Sequence, residues 1–266
     1  MAFLQGVTEL FPISSLGHAV IFPWLIGWGD LVHNPEFLPY LVVMHLGTAI
    51  ALFIFFWRDW LNFLSSLWGG NAPRARADRR VLMLVVLATI PAVIVGFGLH
   101  KVLADAFSKP PYAAFFLVAN GFALYFGDEI TTESKGVLEQ LNWKGALAIG
   151  VAQCLALVPG FSRSGLTIVA GTIAGLKHEA SARFSFLMAT PIIFAASVLE
   201  APKILKSGTT LGGAAVLSGV VAGVVAYASL WVLMRYFNTH EIRAIRPFAY
   251  YCAAAGLLSL GYMAFF

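Results

Sequence analysis

The chain has 266 residues, of which 59% are hydrophobic and only 11% charged, and its mean hydropathy is +0.82. Soluble domains carry about 25% charged residues, so the composition excludes a soluble enzyme and predicts an all-α polytopic membrane protein, a single integral membrane domain over 1–266. The net charge of +4 resides in short polar segments between apolar runs, which speaks for membrane topology and against a nucleic-acid partner.

In chain order, the first apolar segment, about residues 2–28, is interrupted by FPISSLGH, Phe11 to His18. It lacks the basic start of a secretory leader, so no cleavable signal peptide is expected. Six apolar runs follow the length rule for membrane crossing, roughly 17–25 residues: 37–57, 81–99, 112–127, 182–200, 211–234 and 248–266. The third is the shortest. Another apolar segment, about 145–175, is interrupted by VPGFSRSG, Val158 to Gly165. Both cysteines, Cys154 and Cys252, fall in apolar sequence, which argues against a disulfide framework.

Counting Lys and Arg sets an orientation. If loops alternate across the six runs, 58–80, 128–144, 177–183 and 235–246 share a side and hold 12 of the 17 basic residues. The positive-inside rule makes that side cytoplasmic and turns both termini outward. Residues 72–80, with Arg74, Arg76, Arg79 and Arg80, read as a basic loop that anchors the topology.

Proline and glycine break helices, and broken backbone at membrane depth survives only where protein or a wet cavity satisfies it. The two interrupted segments are therefore predicted to be re-entrant helical hairpins. They also resemble each other. GVTELFPISSLG from Gly6 and GVAQCLALVPGFSRSG from Gly150 set Glu9 against Gln153 and Pro12 against Pro159. LATIPAVIVG around Pro91 resembles LMATPIIFAA around Pro191. With the loop assignment above, the hairpins enter from opposite sides. Six transmembrane helices plus two hairpins then form inverted-topology repeats, whose contact near the midplane is where a site is expected.

A half-helix is predicted to start after each proline, near Ser14–Ser15 and Ser162–Arg163. Facing helix N-termini offer N–H donors and positive dipole ends to an anion, and the Arg163 guanidinium suits phosphate oxygens. Ser14, Ser162, Ser164 and Thr167 are further candidate donors. Gln5 and Glu9 share a helix face; the carboxylate there suits a divalent cation, Mg2+ or Ca2+, or the orientation of water. Ser14 and Ser15 lie within a helical turn of His18, a spacing for nucleophile and proton partner. Plainer readings stand beside these: Glu9 paired with Arg163 as a structural ion pair, one of Ser14 and Ser15 bonded to nearby backbone, and His45 as a polar contact between helices. No His/Cys spacing suits zinc.

QGVTELFPISSLGH (Gln5–His18) followed by PGFSRSGLT (Pro159–Thr167), with HLGT (His45–Thr48), FWRD (Phe56–Asp59) and FSFLMATP (Phe184–Pro191), resembles the undecaprenyl-diphosphate phosphatase, or bacitracin-resistance, family over essentially the whole chain. The resemblance implies hydrolysis of a C55 isoprenyl diphosphate to the monophosphate and inorganic phosphate, which recycles the carrier for peptidoglycan and cell-wall synthesis. It implies a bacterial inner-membrane enzyme whose site opens to the extracytoplasmic side, with a polyprenyl diphosphate as substrate, membrane lipid around it, a divalent cation and room for a homodimer. Carried over by motif, its catalytic residues are Glu9, Ser15, His18 and Arg163. The sequence departs from the family's pattern at Gln5, where many relatives have glutamate, and at Leu16, where a small hydroxyl residue is usual. The chain also starts four residues before Gln5, a shorter first arm than the resemblance leads one to expect. Whether Ser15 or water attacks stays open. A polyprenyl-phosphate transporter or flippase using the same phosphate clamp is the rival class.

Overall fold

The computed structural model describes residues 1–34, 37–106, 109–130, 134–206, 213–240 and 242–265. Eleven α-helices and no strand are found among these residues: α1 (Ala2–Thr8), α2 (Ser15–Leu25), α3 (Phe37–Phe55), α4 (Trp57–Ser66), α5 (Pro73–Ala106), α6 (Pro110–Ile130), α7 (Trp143–Leu155), α8 (Arg163–Ile173), α9 (His178–Lys206), α10 (Gly213–Thr239) and α11 (Arg246–Phe265). Five helices are long and apolar enough to cross a membrane, or up to six if α3 and α4, bent by 69° at Phe56, form one span. The ends of two runs, Leu211–Gly212 and Phe266, lie outside the described residues.

Five of the apolar runs fall in helices that extend past at least one of their ends, whereas the run 37–57 breaks at Phe56, between α3 and α4. The chief correction is at 72–80, which is no loop. Pro73 stands at the first helical position, where its fixed φ and missing N–H cost nothing, and the Arg- and Ala-rich residues after it are good helix formers. The basic stretch is thus the first turns of α5, whose 34 residues at about 1.5 Å each exceed a hydrocarbon core of about 30 Å. The helix α4 also falls in a stretch that the sequence reading left as loop. It buries Phe63 and Ser66 and leaves Leu61, Leu64 and Trp68 exposed.

The surface is that of a lipid-facing bundle. Val86, Ile90 and Ile94 of α5, Val216, Val220 and Val224 of α10 and Phe115, Phe122 and Phe126 of α6 are exposed at helical spacing, while Thr48, Asn120, Asp128, Thr167 and Ser185 are buried. With no apolar driving force between helices in lipid, small residues set the close crossings. A Cβ on Gly47 would lie 2.0 Å from the Gly219 carbonyl oxygen of α10, and one on Gly150 of α7 would lie 2.3 Å from that of Ala88 in α5.

Part of the packing repeats, although the α8–α9 and α2–α6 contacts have no counterpart of similar size. Helices α1, α2, α3, α5 and α6 correspond to α7, α8, α9, α10 and α11. Under that exchange the α1–α10 contact becomes α7–α5, α3–α10 becomes α9–α5, and α6–α8 becomes α11–α2; all six contacts are present, as are the self-paired α3–α9 and α6–α11. The polar segments counted above gather through cross-links. Arg80 donates to the carbonyls of Glu139 and Leu141, Arg183 pairs with Asp59, and Asp128 meets His178 at 3.2 Å while Arg246 pairs with Glu129.

Gly47→Ala should push α3 from α10 and destabilise the protein by about 1–3 kcal/mol, the usual range for overpacking. Gly98→Ala, with nothing within 4 Å of the added methyl, should not. Thermal unfolding in detergent compares the two.

Candidate active site

The breaks between α1 and α2 and between α7 and α8 are built alike. Ser14 caps α2, its Oγ accepting from Gly17 N at 3.2 Å; Ser162 caps α8, its Oγ accepting from Gly165 N at 3.1 Å. The caps align SSLG with SRSG, so Ser15 and Arg163 are equivalent first residues of their half-helices. The two tips interlock: a Cβ on Gly17 would lie 3.1 Å from Gly160 Cα, and one on Gly165 3.1 Å from Pro12 Cβ. Gly160 has φ +106°, which a side chain would strain.

What the tips hold between them is Glu9. Its Oε1 accepts from Arg163 Nη2 at 2.5 Å. Its Oε2 accepts from Ser15 Oγ at 2.5 Å and Gln5 Nε2 at 3.0 Å, and stands 3.3 Å from His45 Nε2. The anion beside the first residues of the two half-helices is therefore, in this structure, the chain's own carboxylate, held by their side chains. Arg163 uses only part of its fork, because buried Nη1 has no hydrogen-bond partner among the described residues. These groups line a cavity of about 270 Å³. Glu9, Ser15, His45, Ser162 and Arg163 form its polar wall, and Leu41, Phe161, Ile192, Ile193 and Ala196 its apolar one.

Three of the motif-derived residues, Glu9, Ser15 and Arg163, thus converge, and Gln5 and Ser162 stand with them. The ion pair allowed as a plain reading of Glu9 and Arg163 exists, but it forms the cavity wall. His18 does not meet Ser15. Its Nδ1 donates to the Ser14 carbonyl at 2.7 Å, its Nε2 faces Tyr251 Oη at 2.8 Å, and its ring stacks on that of Tyr251. Ser14 has φ 69°, a left-handed conformation costly for a residue with a side chain, and His18 fixes its carbonyl. The remaining predicted donors are committed elsewhere. Ser14 is a cap, Ser164 Oγ donates to the Phe11 carbonyl at 3.1 Å, and Thr167 Oγ1 bonds the Arg163 carbonyl and Ser185 Oγ. Gln153, the repeat partner of Glu9, is buried without a side-chain partner among the described residues and does not line the cavity.

Two further residues belong to the site. Asn120 of α6 bridges the tips, its Oδ1 accepting from Ser162 N at 2.9 Å and its Nδ2 donating to the Pro12 carbonyl at 3.4 Å. His45 was read first as a contact between helices, with a ligand role second; it stands 3.3 Å from Glu9. An asparagine inside the apolar run 112–127 was the available signal for the first, since a buried amide needs partners.

The residues do not make a cation cage. Among the described residues no three His, Cys, Asp or Glu side chains converge, and both Glu9 oxygens face donors, one of them a guanidinium.

Asn120→Leu removes the partner of the Ser162 N–H, while the Pro12 carbonyl keeps the Cys252 thiol. A buried group left unpaired costs about 1–3 kcal/mol, so thermal unfolding in detergent should show a loss of that size.

The sequence matches the family model described as bacitracin resistance protein BacA over residues 1–258. A protein of Acidiphilium cryptum named undecaprenyl-diphosphatase is 49% identical, over 97% of this chain and 94% of its own. One of Granulibacter bethesdensis with the same name is 48% identical over 100% and 95%. One of Chromobacterium violaceum named undecaprenyl-diphosphatase 2 is 46% identical over 97% and 95%. By a family model and relatives that span the chain nearly end to end, around a site where two broken helices meet on Glu9 and Arg163, this protein belongs to the bacitracin-resistance (BacA) family.

Proposed function

We propose that the protein hydrolyses undecaprenyl diphosphate to undecaprenyl phosphate and inorganic phosphate, and so returns the lipid carrier to peptidoglycan synthesis. Relatives at 46–49% identity are named for that activity. The observation that carries it is the serine hydroxyl 2.5 Å from a buried carboxylate beside an arginine with an unpaired nitrogen. A transporter or flippase is not favoured, since a clamp that only carries phosphate needs no base on a hydroxyl.

In this reading the diphosphate lies along Arg163 and the first turns of α2 and α8. The Arg163 Nη1 and helix N–H groups supply donors aimed at charge that develops on the transferring phosphoryl. Ser15 Oγ attacks the terminal phosphorus and its proton passes to Glu9 Oε2. The bridging P–O bond breaks, and the prenyl phosphate leaves with the electron pair. Water then cleaves the phosphoserine, giving inorganic phosphate and restoring Ser15. His18 acts through the backbone by holding Ser14, and so the start of α2, in place. A divalent cation, Mg2+ or Ca2+, enters this scheme as the counter-ion of the diphosphate rather than as a resident of the protein.

The cavity, about 270 Å³, is smaller than the roughly 300–1,000 Å³ of a drug-sized site, so it takes the headgroup and leaves the prenyl chain to lie along apolar helix faces in the membrane. The repeated packing supports re-entrant hairpins of inverted topology, and the basic segments gathered through cross-links support the assignment of that end to the cytoplasm of a bacterial inner membrane. The site then opens on the extracytoplasmic side.

Phosphate release from a long-chain prenyl diphosphate in detergent tests the proposal. Arg163→Ala should lower kcat about 100- to 1,000-fold, the range for removing one charge-stabilising donor. Ser15→Ala should lose at least as much. His18→Ala should lower kcat and thermal stability together. Folded wild-type protein that binds the lipid and releases no phosphate would overturn the enzyme reading.

A further inference from the structure

The catalytic site does not account for α4. Its ten residues present three faces. Trp57, Leu61 and Leu64, continued by Trp68 in the turn that follows, recur at the spacing of one helix face, and all four are exposed, Trp68 by 81%. Arg58 and Ser65 are exposed on a second face, with Asn62 beside them. Phe63 and Ser66 are buried on the third. A helix that crosses lipid has no use for the polar strip. A helix lying at the membrane boundary does, because its apolar face sinks toward the acyl chains while its polar face meets headgroups. The 69° bend between α3 and α4 turns the chain away from the crossing direction, as that position requires.

The next turn brings charge to the same place. A Cβ on Gly69 would lie 2.7 Å from that of Ala75, so the chain just past Trp68 packs on the first turn of α5. Arg79 donates to the Gly70 carbonyl at 2.6 Å and fastens the turn. Arg74 and Arg76 project about 100° to either side of Ala75 on the helix. Both are exposed, and neither has a side-chain partner among the described residues. Arg79 and Arg80 are taken by backbone carbonyls. Residues 57–80 hold five arginines against Asp78 and Asp59, and Asp59 pairs with Arg183.

We propose that the turn between α4 and α5 binds an anionic phospholipid of the leaflet in which α4 lies. Arg74 and Arg76 hold its phosphate, and its acyl chains lie against Trp68 and Leu64. The apolar stripe decides the occupant. A free phosphate would use the arginines and gain nothing from Trp68, whereas a headgroup joined to acyl chains meets both. The arginines decide the lipid, since a basic residue near the surface favours an anionic headgroup by about fivefold in affinity. Basic residues that serve only orientation are read as charge, and need neither the stripe nor a preference among lipids. The inference is independent of the phosphatase reading.

The test offers phosphatidylglycerol and phosphatidylcholine of equal chain length to the full chain in detergent. Native mass spectrometry reads which lipid is retained, and thermal unfolding with each lipid gives a second measure. Wild type should retain phosphatidylglycerol in preference and unfold at a higher temperature with it. Arg74→Gln joined to Arg76→Gln should weaken that lipid about 25-fold, the product of two arginines, and bring it level with phosphatidylcholine. Both side chains are exposed, so the double variant keeps its fold. Trp68→Ser should weaken retention of phosphatidylglycerol and keep its preference over phosphatidylcholine. Three results would overturn the inference: wild type that retains the two lipids equally, a double variant that keeps the wild-type preference, and Trp68→Ser with unchanged retention. Inorganic phosphate that stabilises wild type as much as the lipid does would also overturn it, because the arginines would then serve a free anion.

Discussion

The contact between Glu9 and Arg163 organises the site, because it joins the two helix breaks. Each break interrupts a hydrogen-bonded backbone and frees buried groups that need other partners. The two tips satisfy each other instead. Ser14 and Ser162 cap the helices that restart, Ser164 reaches the Phe11 carbonyl, and Asn120 takes one group from each tip. The ion pair at 2.5 Å closes the junction on the cavity side. Burying one of these charges without the other would be costly, since a lone buried charge loses its solvation with no compensation. The chemistry and the architecture therefore depend on the same residues.

That dependence explains a division of labour among groups that look alike in sequence. Ser14 and Ser15 are neighbours, yet one caps the backbone and the other offers its proton to Glu9. Glu9 and Gln153 occupy matching positions of the repeat, and only the carboxylate faces the cavity. The repeat supplies two helix starts; their equivalent first residues differ, Ser15 and Arg163, and under the proposed function one is the nucleophile and the other the phosphate clamp. His18 lies on the far side of this arrangement from the cavity, between the strained Ser14 backbone and Tyr251.

Much of this was legible in the sequence. Apolar runs of membrane length, two proline breaks followed by serines, and the repeat between them carry the helices and the meeting of the tips, because hydrophobic length and helix-breaking residues act locally. Misreadings came where tertiary contacts decide. The arginines of 72–80 extend α5 because nothing in that stretch stops a helix, although charge alone suggested a loop. His18 sits one turn from Ser15, but its ring is taken by the Ser14 carbonyl and by a tyrosine more than two hundred residues away. Asn120 and His45 reach the tips only through helix packing, which no local spacing reports.

The central claim is that Ser15, activated by Glu9, takes the phosphoryl group before water does. The most direct measurement is acid quench of a single turnover with substrate labelled in the terminal phosphate, followed by mass spectrometry of the protein. The account predicts a transient phosphoserine at Ser15 that forms no more slowly than prenyl phosphate appears and decays as inorganic phosphate is released. Turnover in which all label passes to free phosphate, with Ser15 unmodified at every quench time faster than turnover, would contradict it.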